Sequence, residues 1–342
     1  MTRGFYERLK PAPVGGGFAL EDYWVWCGSV LRGEDGRYHM FAARWPKTLS
    51  FWPHYFMLSE VVHATADTPE GPYEFQEVAL PARGEGCWDG RMTHNPTIHK
   101  WGDTYLLYYI GATFGGPLPT PATPVADGAP LVGEIYRALR IGLATAKSLD
   151  GPWERRDAPI LEPRPGRWDG ALTTNPSPCV LPDGSVLLMY RSQAEDGGLL
   201  HLGLARAEHF EGPYERLSDE PVLNFDAQGE HVEDPCLWWE AGQFHVLCKD
   251  LKGGLSGERG AGVYATSPDA LHWTLADPPR SYARTVRWED GTQTTLGQLE
   301  RPQVLMQDGR STHLFLAAAD GPGGFNNATR TWNLVIPLGG RI

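Results

Sequence analysis

The chain has no CxxC pair, no apolar run approaching 18 residues and no surplus of positive charge. Each absence removes a class of protein. The five cysteines (Cys27, Cys87, Cys179, Cys236, Cys248) are odd in number and lack metal-ligand spacing, which argues against a disulfide framework or a zinc site. Cys27, Cys179 and Cys236 lie in or beside apolar strands and read as small core residues. No apolar leader follows Met1-Thr2-Arg3, so a reduced, cytoplasmic protein is expected. No stretch has the length of a membrane helix, and a net charge of −12 argues against nucleic acid or an anionic membrane surface as partner.

What is present is an ordinary globular balance, 41% hydrophobic and 21% charged, carrying 13 Trp and 13 Tyr. Aromatics in this number can fill sheet interfaces or form platforms for sugar rings. The strongest pattern is internal repetition. Ala64-Thr65-Ala66 leading to Gly71-Pro72-Tyr73-Glu74 returns as Ala144-Thr145-Ala146 to Gly151-Pro152-Trp153-Glu154, then as Ala205-Arg206-Ala207 to Gly212-Pro213-Tyr214-Glu215. A looser copy runs from Ala265-Thr266-Ser267 to His272-Trp273. Between the copies lie glycine turns such as Gly33–Gly36, Pro182-Asp183-Gly184 and Gln307-Asp308-Gly309, each followed by an aromatic and aliphatic strand. Glycine there supplies the positive φ of a tight hairpin.

Assembled, the repeats predict five units of four antiparallel strands. Such units cannot bury both faces alone and must stack about an axis. The expected fold is all-β, a single five-bladed β-propeller over residues 1–342. Gly4-Phe5-Tyr6-Glu7-Arg8-Leu9 repeats Gly212-Pro213-Tyr214-Glu215-Arg216-Leu217, so the N-terminus is expected to supply the last outer strand and close the ring. This geometry sorts the loops 45–59, 113–139, 191–200, 250–261 and 320–331 onto one face, together with the turns that enter each first strand. The segment Phe114 to Tyr136 has no strand pattern, and reads either as a lid or wall, or as a disordered insertion.

The polar residues of interest fall on that same face. They are Glu21-Asp22, Trp24, Trp26 and Arg44, then Trp88-Asp89-Gly90-Arg91 with His94-Asn95, then Trp168-Asp169-Gly170 with Asn175. The densest stretch is Glu230-His231-Val232-Glu233-Asp234-Pro235, and Glu300-Arg301-Pro302 echoes it. Charges massed at the start of buried strands are costly unless paired, hydrated or used. Asp89 and Asp169 can be turn caps, Asn95 and Asn175 can hold backbone, and Glu300-Arg301 can be an inter-blade ion pair. His94 and His231 are too few to indicate a metal. A ring of acids, arginines and histidines among tryptophans otherwise suits an oligosaccharide, whose cleavage needs an acid and a base.

With these residues in view the whole chain resembles the five-bladed propeller glycoside hydrolases, the group around families 43, 32 and 117. Glu233-Asp234-Pro235 matches the position of the family 43 acid, so the resemblance implies Glu233 as general acid. The family's other two acids have no counterpart here, since Asn175-Pro176 and Cys27-Gly28 stand in their places. Asp22 is the nearest candidate base, with Asp234 or Asp169 adjusting the acid. Trp24, Trp26, Arg44, Asp89, Arg91, His94, Asn95, Asn175, His231, Glu300 and Arg301 are left to hold the sugar. The expected function is an exo-acting, inverting glycoside hydrolase on plant or algal oligosaccharides. A glycoside phosphorylase and a non-catalytic sugar-binding propeller are the alternatives. No cofactor is required by this reading, and the resemblance implies calcium as the metal an axial channel would take.

Overall fold

The structure, a computed structural model, describes residues 4–340 and 342. Blade 1 comprises β1 (Tyr23–Arg32), β2 (Tyr38–Pro46), β3 (Glu60–Ala66) and β4 (Glu74–Leu80). Blade 2 is β5 (Met92–Trp101), β6 (Thr104–Ala112), β7 (Arg140–Ala146) and β8 (Glu154–Arg155), and blade 3 is β9 (Thr174–Val180), β10 (Val186–Ala194), β11 (Gly197–Ala207) and β12 (Glu215–Arg216). Blade 4 is β13 (Val232–Glu240), β14 (Gln243–Asp250), β15 (Gly262–Ser267) and β16 (Thr274–Tyr282). An extra hairpin, β17 (Thr285–Arg287) with β18 (Gln293–Thr295), precedes blade 5, formed by β19 (Gln298–Gln307), β20 (Arg310–Ala319) and β21 (Thr331–Pro337). Every sheet is antiparallel and ordered as the chain runs.

The ring is closed. The first strand of each blade touches that of the next, β1 to β5, β5 to β9, β9 to β13, β13 to β19, and β19 back to β1. Because each blade is packed on both faces, middle strands read as unbroken apolar runs rather than half-polar alternations. In β6, Leu106, Tyr108 and Ile110 join a core shared with blade 3, while Leu107 and Tyr109 join one shared with blade 1. Every other junction has its own core: Met189 with Val246, Leu247 with Leu314, and Phe315 with Met40.

The N-terminal segment does lie along the open edge of blade 5, but not as a continuous strand. Phe5–Arg8, expected to be a strand, is a 3-10 turn. Isolated bridges Leu9 to Leu338 and Phe18 to Asn333 then tie the segment to the edge. Arg8 explains the irregularity: its buried guanidinium donates to Ser311 Oγ (2.9 Å) and to the Ser311 carbonyl (2.8 Å), pulling the chain across the blade. The insertion after β6 resolves into α2 (Pro130–Ala138), following the short α1 (Tyr55–Leu58). Pro130 starts α2 without losing a helical hydrogen bond, and Val132 and Ile135 anchor it in the core between blades 2 and 3.

Candidate active site

All five first strands break register at the same place, between Trp26 and Ser29, His94 and Thr97, Thr174 and Ser177, Glu233 and Cys236, and Glu300 and Gln303. One residue in each bulge is left-handed: Cys27 (φ 57°), Asn95 (51°), Asn175 (51°), Asp234 (57°) and Arg301 (54°). Asn and Asp tolerate this conformation; Cys and Arg are held there by their surroundings. Proline follows in four blades, while in blade 1 Gly28 follows because a Cβ there would sit 2.6 Å from the Asn333 side chain. The bulge turns two consecutive side chains inward in different directions. The residue before it (Trp26, His94, Thr174, Glu233, Glu300) faces a cavity of about 250 Å³, and the left-handed residue faces the axis.

At the axis those five side chains form a hydrogen-bonded chain. The Cys27 thiol donates to Asn95 Oδ1 (2.9 Å), Asn95 Nδ2 to Asn175 Oδ1 (3.0 Å), and Asn175 Nδ2 to Asp234 Oδ1 (2.6 Å). Arg301 closes on the same carboxylate, NH1 to Oδ1 at 3.0 Å and its backbone N–H to Oδ2 at 3.2 Å. Burial pushes the Cys27 thiol far above its ordinary range, so it is no nucleophile.

Above the axis the cavity has two unlike walls. One is aromatic: Trp26, Phe51, Trp52, Tyr55, Phe56 and Phe325, with Phe51 and Phe325 stacked at 4.5 Å. The other is charged. Lys249 Nζ donates to Glu233 Oε1 (3.3 Å) and also to Glu300 Oε1, bridging the two carboxylates. Arg191 donates to Glu233 Oε2 (3.3 Å) and to the Tyr136 hydroxyl (3.3 Å), which α2 delivers and which in turn donates to Gln193 (3.0 Å).

This unequal sharing of cations separates the two acids. Burial would raise the Glu233 carboxyl, but Lys249 and Arg191 more than offset it and hold it below the usual carboxylate range. Glu300 is pushed up to about 7 by burial and by the neighbouring Asp234 and Glu233, with only a shared Lys249 opposing. A proton entering the cluster therefore settles on Glu300. His94 is held neutral by burial and by Arg301. Ser59 Oγ donates to the Thr93 carbonyl and so accepts from His94 Nδ1 (2.7 Å), leaving the His94 Nε2 lone pair toward Cys27 Sγ at 3.6 Å.

Three comparisons place this geometry among known proteins. No protein-family model matches the chain, and neither does any curated protein sequence. Solved structures do match. A glycoside hydrolase superposes with a TM-score of 0.69 at 15% identity, over 97% of this chain and 93% of its own. A family 117 glycoside hydrolase of the marine bacterium Zobellia galactanivorans gives 0.64 at 17% identity, over 97% and 90%. A family 43 β-xylosidase/α-arabinofuranosidase from a compost microbial metagenome, in complex with xylotriose, gives 0.61 at 13% identity, over 96% and 95%. The fold is that of the five-bladed glycoside hydrolases.

Calcium, which the sequence resemblance implied, does not suit the axis of this propeller. Calcium takes roughly six to eight oxygen ligands with negative charge in excess. Here the axial oxygens already accept from Cys27, Asn95, Asn175 and Arg301, and the Arg301 guanidinium neutralises Asp234.

Of the residues singled out in the sequence, Trp26, His94, Asn95, Asn175, Glu233, Asp234, Glu300 and Arg301 line the cavity. The others stand elsewhere. Asp22 is exposed at the start of β1, outside the cavity wall. Asp169 is fully buried beneath its turn, accepting from Arg164 Nε (2.9 Å), Arg216 Nε (2.6 Å) and the Tyr190 hydroxyl (2.8 Å). Asp89 repeats this with Arg83 (2.6 Å), Tyr109 (2.7 Å) and Arg155 (3.4 Å). Both are braces between turn and blade. Trp24 packs beside Phe51 with its Nε1 on the Leu49 carbonyl (2.9 Å), and Arg44 pairs with Glu60 (2.9 Å) under Tyr23 and Phe75. Arg91 pairs with Glu85 and the Gly116 carbonyl, and His231 Nδ1 accepts from the Leu200 N–H (3.1 Å).

Arg191 and Tyr136 were missed, and Lys249 was not assigned a role. Arg191 and Lys249 occupy one repeat position, directly across the strand pair from the cavity residues Thr174 and Glu233. A basic residue immediately after the apolar runs Val186–Tyr190 and Phe244–Cys248 was the available signal. Tyr136 had none, because it sits on a helix inside an insertion.

Proposed function

We propose that the protein is an exo-acting glycoside hydrolase that removes a terminal residue from short oligosaccharides of plant or algal polysaccharide. The observation that carries this reading is the Glu233–Lys249–Glu300 bridge, two carboxyls with opposite protonation preferences facing one cavity. At about 250 Å³ the cavity falls below the roughly 300–1,000 Å³ of pockets for larger ligands, which favours a single sugar ring. The aromatic wall offers indole and phenyl faces for that ring, and Arg191, His94 and Arg301 offer polar edges for its hydroxyls. Each cation of the cavity already faces a carboxylate, so a neutral sugar fits better than an acidic one. The xylotriose complex of a structural neighbour agrees with an oligosaccharide ligand.

In the proposed reaction Glu300, protonated, gives its proton to the glycosidic oxygen as the bond from that oxygen to the anomeric carbon breaks. Glu233, ionised, attacks the anomeric carbon from the opposite face. Water then displaces Glu233 and loses a proton to Glu300, restoring both groups. Sharing one ammonium keeps the two carboxyls within two hydrogen-bond lengths of each other, closer to the about 5–5.5 Å of retaining enzymes than to the about 6.5–9.5 Å of inverting ones. Retention replaces the inverting expectation, and Glu300 replaces Glu233 as the acid.

The test is a panel of natural oligosaccharides and aryl glycosides, with and without phosphate, using wild type, Glu233→Gln and Glu300→Gln. Cleavage by wild type, with a loss of about 10²-fold or more in each variant and a retained anomer by NMR, supports the proposal. Turnover that depends on phosphate indicates a phosphorylase. Sugar binding without turnover indicates a binding propeller.

A further inference from the structure

Between blades 1 and 2, away from the cavity, a line of polar side chains ends in an unmet lone pair. Asp35 accepts from His39 Nε2, 3.2 Å from each carboxylate oxygen. With that nitrogen protonated, His39 Nδ1 in a neutral ring is an acceptor, so the His63 Nε2 facing it at 2.9 Å must be the donor. The remaining His63 nitrogen, Nδ1, then carries a lone pair. His63 is completely buried, stacked on Phe41 at 4.8 Å, and its Nδ1 has no hydrogen-bond partner among the described residues. Nδ1 lies 3.8 Å from Glu77 Oε1 and 3.8 Å from Asp150 Oδ1, both acceptors when ionised. Two carboxylates thus flank the unmet lone pair, each 3.8 Å from it, and no protein donor reaches it among the described residues.

We propose that His63 Nδ1, Glu77 and Asp150 form a binding site for a divalent transition-metal ion of the zinc type, clamping blade 1 to blade 2. Ligands bound at about 2.0–2.2 Å to a common ion can stand up to about 4 Å apart, so each carboxylate is within reach of an ion held on Nδ1, and the exposed Glu77 and Asp150 side chains would close around it. His63 and Glu77 belong to blade 1 and Asp150 to the turn after β7 in blade 2, so the ion would tie the two blades together. Asp35–His39–His63 is the outer-sphere arrangement that fixes a ligating imidazole as the correct tautomer. One imidazole with two carboxylates suits zinc over magnesium, which avoids nitrogen ligands.

The test is calorimetric titration of chelator-treated full-length protein with Zn²⁺, and separately with Mg²⁺, using wild type, Asp150→Asn and Glu77→Gln/Asp150→Asn. Both carboxylates are solvent-exposed, so these variants keep the fold. The expected result is one Zn²⁺ per chain in wild type, about tenfold or more weaker binding in Asp150→Asn and none at this site in the double variant. Saturating Zn²⁺ should raise Tm in wild type, less in Asp150→Asn, and not in the double variant. Zn²⁺ binding undiminished in the double variant, no binding in wild type, or Mg²⁺ bound as tightly as Zn²⁺ overturns the proposal.

Discussion

Asp169 and Glu233 are both carboxylates near the beginning of a blade, and both face two basic groups. At Asp169 the partners are Arg164 and Arg216 with the Tyr190 hydroxyl, and the side chain has no exposure. Asp89 reproduces the arrangement one blade earlier. At Glu233 the partners are Arg191 and a lysine that must also serve Glu300, and the carboxylate looks into open space beside an aromatic wall. The buried carboxylates of blades 2 and 3 each hold a turn against the strands of their own blade. Glu233 and Glu300 stand instead before the bulge that all five blades share, facing the cavity, and there the proposed chemistry is placed.

The contrast can be broken by mutation. Asp169→Ala leaves Arg164 and Arg216 facing an emptied site and should cost about 3–5 kcal/mol of stability in urea unfolding. A loss below about 1 kcal/mol would remove Asp169 from the scaffold. Glu233→Gln should do the reverse, cutting turnover about 10²-fold or more while the unfolding midpoint stays near wild type. Arg191→Gln removes a cation that favours ionised Glu233, so Glu233 titrates higher and the acidic limb of kcat/KM moves to higher pH. An unmoved limb would separate Arg191 from the acid pair. The smallest effect belongs to Asp22→Ala, which should leave the rate unchanged and stability within about 0.5 kcal/mol.

Much of the ring was legible because repetition is a sequence property. The Gly-Pro-aromatic steps at 71, 151 and 212 and the apolar runs after each glycine turn locate blades without any long-range information. The loops assigned to one face do supply the cavity's Phe51, Tyr136 and Phe325. What stayed hidden depends on contacts across blades. Phe5–Arg8 copies the sequence of an outer strand, yet the Arg8 bond to Ser311 bends it into a turn. Trp-Asp-Gly could be read as site or as brace, and only the arginines at 83, 155, 164 and 216 decide for the brace. The bulge sends Glu233 to the cavity and Asp234 to the axis, a division the two adjacent carboxylates do not by themselves fix, and the proposed acid cannot be chosen from the pair alone. The choice rests on Lys249 and Glu300, which reach Glu233 only through folding.

The most direct measurement is the pH profile of kcat/KM for wild type and Glu300→Gln on a cleaved natural oligosaccharide. Glu300 must be protonated to act, so wild-type activity should fall as pH rises through about 7, while Glu233 stays ionised down to acidic pH. In Glu300→Gln the residual activity should be about 10²-fold lower or less and should lose that falling limb. A Glu300→Gln enzyme with the wild-type rate and an intact limb near neutrality would contradict the assignment of the acid, and with it the division of labour between Glu233 and Glu300.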